Sequence, residues 1–270
     1  MSKAKKEYKR ITVKSLLDMK IDGEKISMLT AYDFTTATIV DKSGIDVILV
    51  GDSASNVMAG HETTLPITLD QMIYHASGVI RGVERALVVV DLPFGSYQSD
   101  SKGALKSAIR IMKESGSHAV KLEGGSNISG IVRYLVNKGI NVMGHVGLLP
   151  QYVSSYKIRG KSINQKKNIL SDAVALSNSG AFAIVIECVV ESLAKEITNK
   201  VTIPTIGIGA SRYCDGQVLV IDDLIGLSKY YPKFVKKYSS VSKIIEQSVK
   251  KYCKDVQTRR FPSTKNVYKK

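Results

Sequence analysis

Two hydrophobic patterns alternate along the chain. Short, nearly continuous apolar strings rich in β-branched residues end in glycine or a polar residue. Each is followed by a longer segment with helical spacing of its apolar positions. The strings are Ile26–Asp33, Val47–Ser53, Ala86–Phe94, His118–Gly125, Asn141–Leu148, Phe182–Val189, Thr202–Ala210 and Gln217–Gly226. Runs such as VILVG, LVVVD and AIVIE show no polar face, which is how strands read when both faces are buried. The spacing predicts helices over Thr35–Lys42, Thr68–Val83, Lys102–Ser115, Ser129–Asn137, Gln165–Asn178 and Glu191–Lys200. In Thr68–Val83 a capping threonine precedes a one-sided apolar set, Leu69, Met72, Ile73, Ala76 and Ile80. Ser43-Gly44, Gly116, Gly139 and Gly180 stand where a left-handed cap would end a helix before the next strand.

Eight buried strands with crossovers predict an α/β fold. The expected architecture is one (βα)8 TIM-barrel domain over residues 1–270. An open doubly wound sheet is the structural alternative, and the link from the seventh to the eighth string is too short for a full crossover helix. Residues 9–20 are expected to form an N-terminal helix capping the barrel bottom. Residues 232–254 are expected to form a helical extension whose apolar face carries Phe234, Val235, Tyr238, Val241, Ile244, Ile245 and Val249. Two long connections, 54–67 and 147–164, are candidates for functional loops.

Composition changes the picture little. The 270 residues are 44% hydrophobic and 23% charged, which excludes disordered, collagenous and disulfide-framework classes. No apolar run reaches the roughly 18 residues of a membrane span, and no secretory leader is expected after the basic start. Three scattered cysteines, Cys188, Cys214 and Cys253, fit a reducing, cytoplasmic setting and argue against structural zinc. The net charge of +15 sits at the ends. Residues 1–20 hold seven Lys/Arg against two acids, and residues 229–270 hold thirteen against two. Such ends could contact nucleic acid, but they lack a motif with interleaved aromatics, so solvated, loosely ordered ends at 1–8 and 255–270 are the expectation, with neither a nucleic-acid nor a membrane partner.

Chemical residues gather at the ends of the strings. The second ends in Gly51-Asp52-Ser53, the third in Asp91, the fourth in Lys121-Leu122-Glu123, the sixth in Glu187, and the fifth carries His145. In a barrel these ends surround one mouth, where active sites lie. Lys121 and Glu123, two residues apart, share a face. Three carboxylates, Asp52, Asp91 and Glu123, could meet a hard divalent cation such as Mg²⁺, with no Cys/His cluster competing for zinc or iron. Taken singly, each has a plainer explanation. An Asp at a strand end is often a helix cap, Lys121–Glu123 could be a structural ion pair, and His145 could be a hydrogen-bonded core histidine. Glu187, after a run of apolar residues, is harder to explain by structure alone, because a buried unpaired carboxylate is costly.

The chain resembles the ketopantoate hydroxymethyltransferase family. The matching segments are TAYD (Thr30–Asp33), VGDS (Val50–Ser53), GHETTLPIT (Gly60–Thr68), DLPF (Asp91–Phe94), VKLEGG (Val120–Gly125), GHVGLLPQ (Gly144–Gln151), ECV (Glu187–Val189), PTIGIGA (Pro204–Ala210) and DGQVLV (Asp215–Val220). The resemblance implies transfer of a one-carbon unit from 5,10-methylenetetrahydrofolate, or a related modified pterin, to 3-methyl-2-oxobutanoate. The product would be 2-dehydropantoate, on the way to pantothenate and coenzyme A. It further implies Asp52, Asp91 and Glu123 as Mg²⁺ ligands, and Asp52, Ser53, Asp91 and Lys121 as contacts to the 2-oxoacid. Glu187 would be the proton acceptor, with Lys121 and His145 beside the reacting atoms, and the enzyme would assemble as a homo-oligomer, often a decamer. The chain departs from the family's pattern at Ser154-Ser155, at Val190 and at Ala210–Cys214. None of these is an expected metal or base position. Two other readings stay open: an Mg²⁺-dependent carbon–carbon lyase of the isocitrate lyase or phosphoenolpyruvate mutase type, and a nucleic-acid-binding protein acting through its basic ends.

Overall fold

A computed structural model describes residues 9–153 and 157–268. The N-terminal stretch 1–8, expected to be loose, the segment 154–156, which includes the departure at Ser154-Ser155, and residues 269–270 lie outside the described residues. The chain forms two compact units, one running up to Val220 and a second starting at Ile221.

The first unit is a closed, wholly parallel eight-stranded barrel. Its strands are β1 (Ile26–Thr30), β2 (Val47–Val50), β3 (Leu87–Asp91), β4 (Ala119–Glu123), β5 (Val142–Gly147), β6 (Ala183–Glu187), β7 (Thr205–Ile208) and β8 (Gly216–Leu219), each paired with the next and β8 with β1. The helices around them are α1 (Val13–Asp22), α2 (Phe34–Lys42), α3 (Ala54–Val57), α4 (Leu69–Gly82), α5 (Ser101–Ser115), α6 (Ser129–Asn137), α7 (Ile163–Asn178) and α8 (Glu191–Lys200). The open-sheet alternative is excluded by closure. Every residue of β2, β3, β4 and β6 is buried, because helices cover one face and packed side chains fill the other. Gly44, Gly116, Gly139 and Gly180 all take positive φ, between 82° and 92°, and so end helices as their positions predict.

The barrel interior is one apolar cluster. Ile26, Met28, Val47, Leu49, Leu87, Val89, Ala119, Met143, Ala183, Val185, Ile206 and Val218 meet inside it, and fully buried Leu16 joins them from α1. That helix starts three residues beyond Arg10. Thr12 caps it, accepting from the Ser15 amide, with the Ser15 hydroxyl reciprocating. Lys20 ties its last turn to Asp215 at 2.7 Å, and the same carboxylate accepts from the Thr205 amide. The N-terminal capping helix is therefore present, and it plugs the end of the barrel from which the strands begin.

Two boundaries differ from the sequence pattern. The eighth string splits: β8 stops at Leu219, and Ile221–Ile225 is a short helix, α9. Asp222 and Asp223 lie in its first turn, where negative charge favours helix, and Gly226 follows at φ 82°. In the second unit, the expected helix over 232–254 begins instead at Val241 and runs to Gln257 as α10. Before it, Val235 donates to Pro232 in a turn, and the Tyr238 amide is taken by the Leu224 carbonyl, so 232–240 cannot propagate a helix. No residue of α10 is buried, and Ile244, Ile245, Val249 and Tyr252 are exposed. Among the described residues no helix is long and apolar enough to cross a membrane.

Replacing the plug tests this architecture. Leu16→Ala is expected to cost about 3 kcal/mol of stability, lowering the midpoint of thermal unfolding by roughly 5–10 °C. An unchanged midpoint by circular dichroism would mean that α1 does not seal the core.

Candidate active site

The site grows out of the same alternation that builds the core. Along each strand the inward positions are two residues apart. Leu87 and Val89 point into the apolar cluster on β3, Ala119 on β4, Met143 on β5, and Ala183 and Val185 on β6. Two further residues along, the same columns bring Asp91, Lys121 then Glu123, His145 and Glu187 to the C-terminal mouth. Pairing fixes their heights: Asp91 lies opposite Lys121, and Glu123 opposite His145. On β2 the corresponding inward position is Gly51, where an added Cβ would stand 2.7 Å from Ser53 Oγ and 3.6 Å from Asp91 Oδ2. The chain can therefore turn tightly there, and the Asp52 amide donates to Asp91 Oδ2 at 3.0 Å.

These side chains form a continuous buried array. Lys121 Nζ is 2.9 Å from Asp91 Oδ1 and 3.3 Å from His145 Nδ1. His145 Nδ1 is 3.5 Å from Glu123 Oε1, and its Nε2 is 3.2 Å from Glu187 Oε2. Asp52, Asp91, Lys121, Glu123 and His145 are all 5% exposed or less, and Glu187 is 9% exposed at the rim. Neither Asp52 nor Asp91 caps a helix; that work falls to Asp33 and Asp100. Serine 53 lies beside Asp52 and shares a 2.8 Å hydrogen bond with the Tyr32 hydroxyl.

The electrostatics reflect crowding of negative charge. Burial, then the Asp91 and Glu123 charges, push the Asp52 carboxyl up to about 8, against the opposing pull of Lys121 and Gln151. Burial also raises Asp91, although Lys121 draws it down. Burial works to raise Glu123 too, but the hydrogen bond and charge of His145, with Lys121, outweigh it and hold this carboxyl below its usual range. Burial works against the charge on Lys121, yet Asp91, Glu123 and Asp52 together lift its pKa above the ordinary lysine range. Burial and Lys121 oppose protonation of His145, but the hydrogen bond and charge of Glu123 and the hydrogen bond of Glu187 prevail and raise it to about 9.

Every residue singled out in the sequence thus lies at this mouth. The three carboxylates Asp52, Asp91 and Glu123 meet there, but not as a closed cage. Among the described residues no group of three or more His, Cys, Asp or Glu is arranged to hold a metal. Lys121 occupies one side of Asp91, and Gln151 stands between Asp52 and Glu123. Gln151 and Tyr97, 3% and 0% exposed, were not legible as functional residues. They sit in loops after β5 and β3, where no periodicity marks a buried side chain; the only signal was that Gln151 closes the segment GHVGLLPQ.

The backbone around Glu187 is also specialised. Gly147, at φ 99°, lies so close to β6 that a Cβ would stand 2.4 Å from the Glu187 carbonyl oxygen. Cys188 takes φ 49°, unusual for a residue with a side chain, and turns the chain immediately after Glu187. Burial and the Glu187 charge push the Cys188 thiol up to about 11, so it is not a reactive thiolate at neutral pH.

Comparison with known proteins agrees with the geometry. The family model described as ketopantoate hydroxymethyltransferase matches residues 10–264. A 3-methyl-2-oxobutanoate hydroxymethyltransferase of Christiangramia forsetii is 59% identical over 99% of this chain and 100% of its own length. One from Flavobacterium johnsoniae is 57% identical over the same shares. Among solved structures, phosphoenolpyruvate phosphomutase from Streptomyces platensis subsp. rosaceus superposes with a TM-score of 0.58, covering 92% of this chain and 86% of that one. At 11% identity it shows the barrel alone. The family match over residues 10–264 and the full-length similarity lead to one conclusion: the chain belongs to the ketopantoate hydroxymethyltransferase family.

Proposed function

We propose that the protein transfers the one-carbon unit of 5,10-methylenetetrahydrofolate, or a related modified pterin, to 3-methyl-2-oxobutanoate, giving 2-dehydropantoate. The observation that carries this reading is the buried array itself. A carboxylate, Glu187, lies 3.2 Å from His145, and the Lys121–Asp91 ion pair stands beside them in one mouth.

The chemistry begins with a weakly acidic C–H bond at C3 of the 2-oxoacid. Glu187, at the rim, accepts that proton, and the C–H electron pair passes into an enolate. Lys121, and His145 through a hydrogen bond, would face the negative charge that develops on the keto oxygen. Both are held in place before the reaction by Asp91, Glu123 and Glu187, so little reorganisation is needed. The C3 carbon then forms its bond to the methylene carbon as one of that carbon's two nitrogen bonds breaks. Water replaces the second and supplies the hydroxyl oxygen. The two freed nitrogens take up the proton lost by water and the one accepted by Glu187, releasing tetrahydrofolate. Asp52, Ser53, Asp91 and Lys121 would contact the 2-oxoacid, and holding two substrates in register contributes much of the remaining rate.

The donor set fits a hard divalent cation. Four carboxylates (Asp52, Asp91, Glu123 and Glu187) gather around Lys121 and His145, and burial with the Asp91 and Glu123 charges raises the Asp52 carboxyl, a cost that a bound cation would relieve. All the spare donors are oxygens, which suits Mg²⁺. Asp52 and Asp91 would hold it, with Glu123 behind them. Bound there, Mg²⁺ would act as a Lewis acid toward the oxygens of the 2-oxoacid. The same reading carries a cytoplasmic homo-oligomer, decameric by family resemblance, and the uncovered apolar face of α10 is compatible with contacts between subunits.

The direct test is product formation. Purified protein with Mg²⁺, 3-methyl-2-oxobutanoate and 5,10-methylenetetrahydrofolate is expected to give 2-dehydropantoate by mass spectrometry. Carbon–carbon cleavage of 2-oxoacid adducts without pterin would favour the lyase reading instead. Glu187→Gln is expected to lower kcat by roughly 100-fold or more, while 2-oxoacid binding by calorimetry is retained; near-normal turnover would remove Glu187 from the base role. Asp91→Ala is expected to shift the Mg²⁺ requirement upward by about tenfold or more. A superimposable metal titration would contradict its place as a ligand.

A further inference from the structure

Gln151 reaches more of the mouth than any reacting group does. Its side-chain Nε2 donates to Asp52 Oδ2 at 2.9 Å and to the Leu92 carbonyl at 3.0 Å. Its main-chain N–H donates to Glu123 Oε2 at 2.9 Å. Its Oε1 accepts from the Tyr97 hydroxyl at 2.8 Å and from Gln98 Nε2 at 3.2 Å. One residue in the loop after β5 therefore touches carboxylates that arrive from β2 and β4, and the loop that follows β3.

The orientation of that amide is fixed by its surroundings. Rotating it by half a turn would set Oε1 against two acceptors, Asp52 Oδ2 and the Leu92 carbonyl, and would aim Nε2 at Gln98 Nε2. Tyr97 is fixed in turn. Its hydroxyl lies 3.1 Å from the Glu123 amide, which donates to it, and 2.9 Å from the Glu123 carbonyl. Both amide hydrogens of Gln151 are used, one on the Asp52 carboxylate and one on the Leu92 main-chain carbonyl, which anchors the amide. The Phe94 and Tyr152 rings, edge to face at 6.4 Å, join the same two loops on their outer side.

We propose that Gln151 is a positioning residue for the cation site: locked by Tyr97, its amide sets the Asp52 carboxylate while its main-chain N–H sets that of Glu123. Two negative groups from separate strands repel each other and, left alone, would turn apart. A neutral donor between them holds both in the orientation that a divalent cation needs, without neutralising either as a lysine would. Hydrogen bonds to charged groups are the strong kind, so their loss should be visible in metal affinity rather than in folding alone. This inference rests on the Mg²⁺ reading above, and its test separates the two.

The test is Mn²⁺ binding to the full-length protein, followed by the electron paramagnetic resonance signal of the free ion. Gln151→Met, which keeps the volume and removes both side-chain donors, is expected to weaken Mn²⁺ binding by about tenfold or more at unchanged stoichiometry. Tyr97→Phe is expected to weaken it by a few-fold. In the double variant the Tyr97 change should add nothing, because both act through one amide. A purely structural role would lower the unfolding temperature and the fraction of active sites, yet leave the affinity of the folded sites as it was. Binding by Gln151→Met within twofold of the parent, with Asp91→Ala losing the ion, would overturn the positioning role and leave the metal reading standing. Absence of Mn²⁺ binding by the parent protein would overturn the metal reading, and this role with it. Should Gln151→Met fail to fold, Tyr97→Phe carries the test: unchanged affinity contradicts the proposal, and weakened affinity supports it.

Discussion

Removing an ammonium group and several carboxylates from water is costly, and the Lys121–Asp91 pair is what makes it tolerable here. At 2.9 Å, with both partners under 5% exposed, it places a fixed positive charge at the centre of an acidic mouth. Lys121 also approaches His145, and His145 touches Glu123 and Glu187. Asp91 favours the charge on Lys121, and Glu123 favours protonation of His145. Without the lysine, Asp52, Asp91 and Glu123 would face one another with only His145 to oppose them. The mouth exchanges some stability for preorganised charge, and the apolar cluster beneath it, sealed by Leu16, supplies the rigidity that this requires.

The barrel converts sequence spacing into this geometry with little freedom. Parallel pairing sets Asp91 opposite Lys121 and Glu123 opposite His145, and the two-residue period turns all four inward. A one-residue slip in any of these strands would send its charged group outward among the helices, which is why register and chemistry are inseparable here. Loops then add what strands cannot. The turn after Gly51 delivers Asp52, and the loops after β3 and β5 meet through Tyr97 and Gln151.

Much of this was readable from residues. The apolar strings named the eight strands, because strands covered on both faces carry no polar alternation to blur them. Asp91, Lys121, Glu123 and Glu187 stood out as charges closing such strings. The boundaries that differed have local causes: Asp222-Asp223 start a helix inside an apolar run, and the turn at Pro232 delays α10 to Val241. Gln151 and Tyr97 escaped notice because a polar residue buried in a loop follows no period. Only tertiary contact shows that the amide faces the Asp52 carboxylate, and the hydroxyl the Glu123 main chain, rather than solvent.

The central claim is that this array withdraws a proton from C3 of a 2-oxoacid. The most direct measurement places the protein, Mg²⁺ and 3-methyl-2-oxobutanoate in D₂O, without any pterin, and follows the C3 proton signal by NMR. The proposed mechanism predicts that the signal decays through exchange with solvent deuterium, and that the decay requires both the metal and Glu187. Persistence of the C3 signal with the metal and the intact protein present would contradict it.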